Sequence, residues 1–202
     1  CLVGSEMCIR DRKENVVTVD YLTLEAGTYR FTTSETESLH QRPLGTVTQE
    51  SIPASGTAYM RRQTIEFDGR DVTLQTYALP GSNGGETNYV RLRDIASLLN
   101  GTNAQFGVDW DGNVIILPDE AYKPNGTEMQ APFSGNRHYQ KADAKTVIYG
   151  ESIPFTAILL TDDQGGGYTY YKLRDLGKVL NFNVGWSNSR GIYIESNHPY
   201  EG

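Results

Sequence analysis

One stretch constrains this chain more than any other, because it is present twice. Tyr170-Tyr171-Lys172-Leu173-Arg174-Asp175-Leu176-Gly177-Lys178-Val179-Leu180-Asn181 has an earlier copy, Asn88-Tyr89-Val90-Arg91-Leu92-Arg93-Asp94-Ile95-Ala96-Ser97-Leu98-Leu99-Asn100. In both, an aromatic strand end runs into Leu-Arg-Asp and then into a short amphipathic helix. Leu92, Ile95, Leu98 and Leu99 fall on one helical stripe, as do Leu173, Leu176, Val179 and Leu180. The segment after each helix repeats too. Phe106, Val108 and Trp110 alternate as a half-buried strand, Asp111-Gly112 turns the chain, and Val114 to Leu117 returns; Phe182, Val184 and Trp186, with Ile192 and Ile194, match them. Length changes are confined to loops while strand phase is kept, which supports the alignment.

The same plan holds upstream of each helix. Thr64 to Phe67, the dipeptide Asp68-Gly69 and Arg70 to Leu74 read as a β-hairpin, since Asp-Gly supplies the positive φ angles of a two-residue turn. Thr76 to Leu79 continues as strand up to the Gly-rich loop Pro80 to Gly85. In the second copy Thr146 to Tyr149 turns at Gly150-Glu151 into Ile153 to Leu160, where Pro154 points to an edge, and Asp162 to Gly167 is the matching loop. The expected fold is therefore α+β: two tandem units, residues 63–122 and 145–202, each a small antiparallel β-sheet curled around one α-helix, joined by a connector over 123–144. Residues 13–62 carry strand chemistry at Val16 to Val19 and Thr28 to Phe31, then a polar tract from Thr32 to Gln41 and the loop-like Ser51 to Gly56; they read as an unassigned strand and loop segment or linker.

A length of 202 residues suits one domain or two small ones, and the repeat decides for two. The net charge of −7, with Lys and Arg dispersed, argues against nucleic acid or an anionic membrane as partner. No apolar run is long enough to span a bilayer. Residues 1–12 resemble the translation of a sequencing-library adaptor, so they are set aside as artefactual and a leader peptide is expected to have been lost by truncation. Both cysteines, Cys1 and Cys8, lie in that piece, leaving the remainder without a disulfide framework or zinc-thiolate site.

The pattern Tyr-x-x-Leu-Arg-Asp-(Leu/Ile), helix, Phe-x-Val-x-Trp, strand resembles the copper amine oxidase N-terminal-like, or stalk, domain in tandem copies. The linker phrases Ala121 to Gly126 and Pro132 to Arg137 are similar to those of tandem forms in secreted or wall-associated proteins of Gram-positive bacteria. The resemblance implies a non-catalytic extracellular or cell-wall-associated stalk or binding module, partnered by cell-wall glycan or another surface polymer, or spacing a partner domain. Its alternative is an accessory domain of a larger secreted enzyme, a hydrolase or amine oxidase, whose catalytic part lies elsewhere. Neither reading needs a cofactor. Catalysis by this chain is not expected. The oxidase's quinone setting is absent, since Asn88-Tyr89 is followed by Val90, and His40, His138 and His198 are scattered singly where copper needs convergent imidazoles.

The motif also supplies the candidate residues. Leu92, Arg93, Asp94 and Trp110, with Leu173, Arg174, Asp175 and Trp186, are read as structural. Arg93-Asp94 and Arg174-Asp175 are expected to be ion pairs anchoring each helix start to its sheet, and a buried pair would make Asp175→Ala cost roughly 3–5 kcal/mol. Trp110 and Trp186 alternate with apolar residues and are expected in the core. Tyr171 and Tyr193 are the expected exposed residues for stacking a sugar. Asp109 to Asn113 with Glu120 is a weak match to a calcium loop, its Gly being two places early, and a β-turn is the simpler reading. The sequons at Asn100 and Asn125 are read as coincidental.

Overall fold

The computed structural model describes residues 6–10, 16–20, 41–81 and 84–202. Residues 1–39 and 40–202 form separate units. In the first, β1 (Glu6–Arg10) pairs antiparallel with β2 (Val16–Asp20). The segment Thr28 to Phe31, most of the polar tract from Thr32, and His40 lie outside the described residues.

The second unit is built on two long strands, β3 (Ser55–Phe67) and β4 (Arg70–Pro80), joined at Asp68-Gly69. Both turn residues have positive φ, 46° and 78°, as the Asp-Gly signal requires. β5 (Glu86–Arg91) pairs with β4 and leads into α1 (Leu92–Leu99). The hairpin β6 (Phe106–Trp110) and β7 (Val114–Pro118) completes the first copy. The expected connector supplies β8 (Arg137–Lys141), and the second copy supplies β9 (Thr146–Ile148), β10 (Glu151–Ile153), β11 (Ala157–Thr161), β12 (Gly167–Lys172), α2 (Leu173–Leu180), β13 (Asn183–Ser187) and β14 (Gly191–Glu195). What is one continuous strand in the first copy is broken in the second. Pro154 cannot donate, and the Phe155 N–H closes a tight bend on the Ile153 carbonyl at 2.8 Å, so the expected run from Ile153 to Leu160 becomes β10 and β11. The turn before β10 is Tyr149-Gly150, one residue earlier than expected, with φ of 53° and 80°.

These strands do not make two units. β3, β4, β5, β12, β11 and β8 pair in succession, and β8 pairs again with β3, closing a six-stranded antiparallel barrel. β3, β4 and β5 come from the first copy, β11 and β12 from the second, and β8 from the connector that leads into it. The seams are β5–β12, where Arg91 faces Tyr170 and Lys172 faces Tyr89, and β3–β8. The copies also exchange their last hairpins: β7 lies parallel to β9 of the second copy, and β14 lies parallel to β3 of the first. The expectation of two α-helix-centred α+β units is thus overturned. The molecule is mostly β, 45% strand against 10% helix, and the two eight-residue helices seen are too short to centre a core. Physically, the first copy offers three staves with open edges, and pairing those edges across copies satisfies backbone groups that either copy alone would leave unpaired.

The barrel has two apolar layers. Its interior holds Ala58, Tyr77, Leu79, Tyr89, Ile158, Leu160 and Tyr170, with Tyr77 and Tyr170 packed edge to face at 5.5 Å. Its outer wall, including Ile65, Val90 and Tyr171, is covered by Leu92, Ile95 and Leu99 of α1 and by Leu173, Leu176, Val179 and Leu180 of α2. Those are the stripes read from sequence, save that Leu98 is only partly buried.

Residues 41–54, unassigned from sequence, run as an extended strap over the end of α2. The Gly45 N–H donates to the Val179 carbonyl at 3.1 Å, and Leu44 and Val47 pack on the outer core. A Cβ at Gly45 would stand 2.0 Å from the Lys178 carbonyl oxygen, a backbone atom that cannot swing away. Gly45→Ala is therefore expected to lower stability by about 1–3 kcal/mol, as overpacking does, read as a fall in Tm.

Candidate functional site

Two clefts of similar size, about 500 Å³ and about 480 Å³, lie where the copies meet. They are built from equivalent residues. In the first, Leu173 and Arg174 at the start of α2 and Val184 and Trp186 of β13 face Thr87 and Asn88 of β5. In the second, Leu92 and Arg93 of α1 and Val108 and Trp110 of β6 face Tyr168 and Thr169 of β12. Each cleft therefore takes its helix start and its Trp from one copy and its opposite wall from the other. Neither can form from one copy alone.

Trp186 is 59% exposed and Trp110 58%. The expectation that they are core residues fails, and the reason is local. Phe106, Val108 and Trp110 do share a strand face, but its cover runs out along the strand. Phe106 is fully buried, Val108 partly, and Trp110 stands beyond the helix at the cleft rim; in the second copy Phe182 and Val184 are buried and Trp186 again stands exposed. An indole left in water on a rim is a flat apolar platform with one N–H donor.

Tyr171 is the reverse case. It does point away from Tyr170, but both barrel faces are covered, and Tyr171 is 0% exposed. Its hydroxyl shares a 2.7 Å hydrogen bond with Thr146 Oγ1, and its ring meets Phe155 edge to face at 5.3 Å. Burial pushes its phenol up to about 12. It is a core residue, not a sugar platform. Tyr193 is partly exposed, but the Arg190 guanidinium sits 3.8 Å from its ring centroid, and the ring packs on Gly185.

The ion pairs also differ from expectation. Asp94 pairs not with its neighbour Arg93 but with Arg91, the last residue of β5. Asp94 Oδ1 accepts from Arg91 Nε at 2.8 Å, from Arg91 Nη2 and from the Met129 N–H at 2.9 Å. Arg91 Nη2 also donates to the Thr127 carbonyl at 2.7 Å, and both charged residues are buried. Adjacent residues on a helix diverge, whereas residues three apart meet. Arg93 instead donates to the Tyr122 hydroxyl at 3.2 Å. That hydroxyl donates to Glu128 Oε1 at 2.6 Å. Burial opposes ionisation of Glu128, but the Asn125 and Gly126 N–H groups and Tyr122 outweigh it and hold the carboxyl at about 2.

The second copy does not repeat this pair. The ammonium of Lys172, the counterpart of Arg91, goes to the Glu50 carboxylate of the strap. Among the described residues Asp175 accepts no hydrogen bond, and Arg174 is exposed. Burial raises the Asp175 carboxyl, Lys172 opposes that, and Glu50 adds to it. A raised acid binds protons more tightly when folded, so its ionisation destabilises the fold as pH rises above the unfolded value of 3.8. Asp175→Asn is expected to be neutral or stabilising at pH 7, with its advantage vanishing below about pH 4. Thermal melts across pH 3–8 check this, and a large loss at pH 7 would contradict it. The large cost expected of Asp175→Ala does not apply, because the buried Arg174 pair on which it depends does not form.

His138 and His198 lie exposed at separate places. Among the described residues no three of His, Cys, Asp or Glu are grouped as a metal would need. Asp109 and Trp110 end β6, and Asp111 to Asn113 is a turn in which Asp111 Oδ1 accepts the Asn113 N–H at 2.9 Å. Among the described residues no helix is long and apolar enough to cross a membrane.

No protein-family model, curated protein or solved structure matches the chain.

Proposed function

We propose that the chain is a non-catalytic extracellular module that holds a surface polymer, such as cell-wall glycan, through its two tryptophan-rimmed clefts. The observation that carries this reading is the pair of exposed indoles at equivalent rims. Leaving one large aromatic ring in water is ordinary; leaving both indoles exposed at matching places, where most of the described Phe and Tyr rings are buried, points to a shared use. Two like sites on one rigid barrel suit a repeating polymer, because the second contact becomes intramolecular once the first is made. The stalk-type motif and its tandem arrangement agree with a wall-associated role.

The test is co-sedimentation of the full chain with Gram-positive peptidoglycan sacculi, with and without attached wall polymers. The wild type is expected to pellet saturably. The double variant Trp110→Ala/Trp186→Ala is expected to lose at least tenfold in affinity with stability within about 1 kcal/mol of wild type, since both side chains are exposed. Pelleting unchanged by the double variant would overturn the proposal.

A further inference from the structure

The two clefts share a plan but differ in chemistry, and the first is furnished for a particular ligand. Three of its lining atoms, Gln63 Oε1, Thr76 Oγ1 and Asn88 Oδ1, are buried without a hydrogen-bond partner among the described residues. Thr76 is only 1% exposed. They come from three adjacent strands, β3, β4 and β5. Arg61 pairs with Thr76 and Ala78 with Asn88, so the alternation of side chains puts Gln63, Thr76 and Asn88 on the outer face of the barrel, beneath the cleft. Buried polar atoms left unpaired are costly, and sites that bind hydrogen-bonding ligands are where they are retained. The second cleft has Val114 and Leu159 in its lining and contributes none of the unpaired buried atoms.

Charge narrows the ligand further. Glu50, Glu86 and Asp175 line the first cleft against Lys172 and Arg174. Lys172 is already paired with Glu50, while Glu86 is held by Arg61 at 2.6 Å. Two of the three carboxylates are thus neutralised and Asp175 stands beside Arg174, so the cleft offers a polyanion no net positive charge. Resting on the polymer-binding reading, we infer that the first cleft is a subsite for an uncharged sugar ring, stacked on Trp186 and donating its hydroxyl or amide hydrogens to Gln63, Thr76 and Asn88. Trp186 covers the apolar face of the ring, and the strand floor satisfies its polar edge.

The chain has two tryptophans, so each cleft carries its own fluorophore. In Trp110→Phe only Trp186 reports. Titration of that full-length variant with the N-acetylglucosamine tetrasaccharide and with cellotetraose is expected to shift Trp186 emission saturably with at least one of them. Polygalacturonate is expected to leave it unmoved. Adding Thr76→Val or Asn88→Ala is expected to weaken the response at least fivefold at an unchanged Tm; two independent variants guard against one that misfolds. A preference for polygalacturonate, or a neutral-sugar response indifferent to both substitutions, would overturn the inference. Silence toward both neutral sugars, with sacculi still pelleting the chain in a Trp-dependent way, would overturn this ligand class and leave the polymer reading standing. Pelleting that ignores both tryptophans would fail the polymer reading itself.

Discussion

Replacing Asp94 with Ala is expected to destabilise the protein by about 3–5 kcal/mol, because it strands Arg91. Arg91 is buried, and three of the hydrogen bonds that tie β5, α1 and the connector together converge on Asp94 Oδ1. Without the carboxylate the guanidinium keeps only the Thr127 carbonyl and a distant stack on Tyr168, 5.7 Å from its ring. A net attraction is not what makes the loss large, since buried pairs often do little better than apolar replacements; the uncompensated charge left behind does. The double variant Arg91→Met/Asp94→Leu should therefore recover much of the loss. Denaturant unfolding of the three proteins decides it. An Asp94→Ala midpoint equal to wild type would show that the pair is solvated.

Tyr171→Ala is expected to cost about 3–5 kcal/mol, the range for deleting a large buried ring. The ring lies in the outer apolar layer, against Phe155, and its hydroxyl is bonded to buried Thr146. Tyr171→Phe should cost only about 1 kcal/mol, the hydrogen bond alone. Trp186 provides the contrast. The two aromatic residues should divide cleanly, one setting stability and the other setting binding. A Tyr171→Ala protein with wild-type Tm would mean that the outer wall is not covered as described.

Much of the local structure was legible in the residues. Asp68-Gly69 marked its hairpin because the turn demands positive φ, and the helical stripes marked α1 and α2 because one face must be apolar. What was not legible is how the pieces close. β8 reads Arg-His-Tyr-Gln-Lys, and only Tyr139 of the five is buried, so it carries almost no alternating signal. The first half of β3 and the strap are equally quiet, yet β3–β8 is the seam that shuts the barrel. Strand pairing between distant segments is set by tertiary fit, which local pattern does not encode. The site suffered from the same limit. Strand phase correctly put Phe106, Val108 and Trp110 on one face, but where the cover ends along that face depends on an eight-residue helix and a wall from the other copy. The Arg91–Asp94 pair, by contrast, had a readable signal in its three-residue spacing.

Whether the paired clefts hold a polymer is decided by a nitrogen–proton correlation spectrum of the full chain as solubilised glycan fragments of peptidoglycan are added. The chain has two tryptophans and so gives two indole N–H signals, one per cleft, assigned by Trp110→Phe and Trp186→Phe. Both indole signals are expected to move saturably together with the backbone signals of Thr87, Asn88, Tyr168 and Thr169, while those of the barrel interior hold still. Binding that shifts other surfaces and leaves both indoles in place would contradict a role for the clefts.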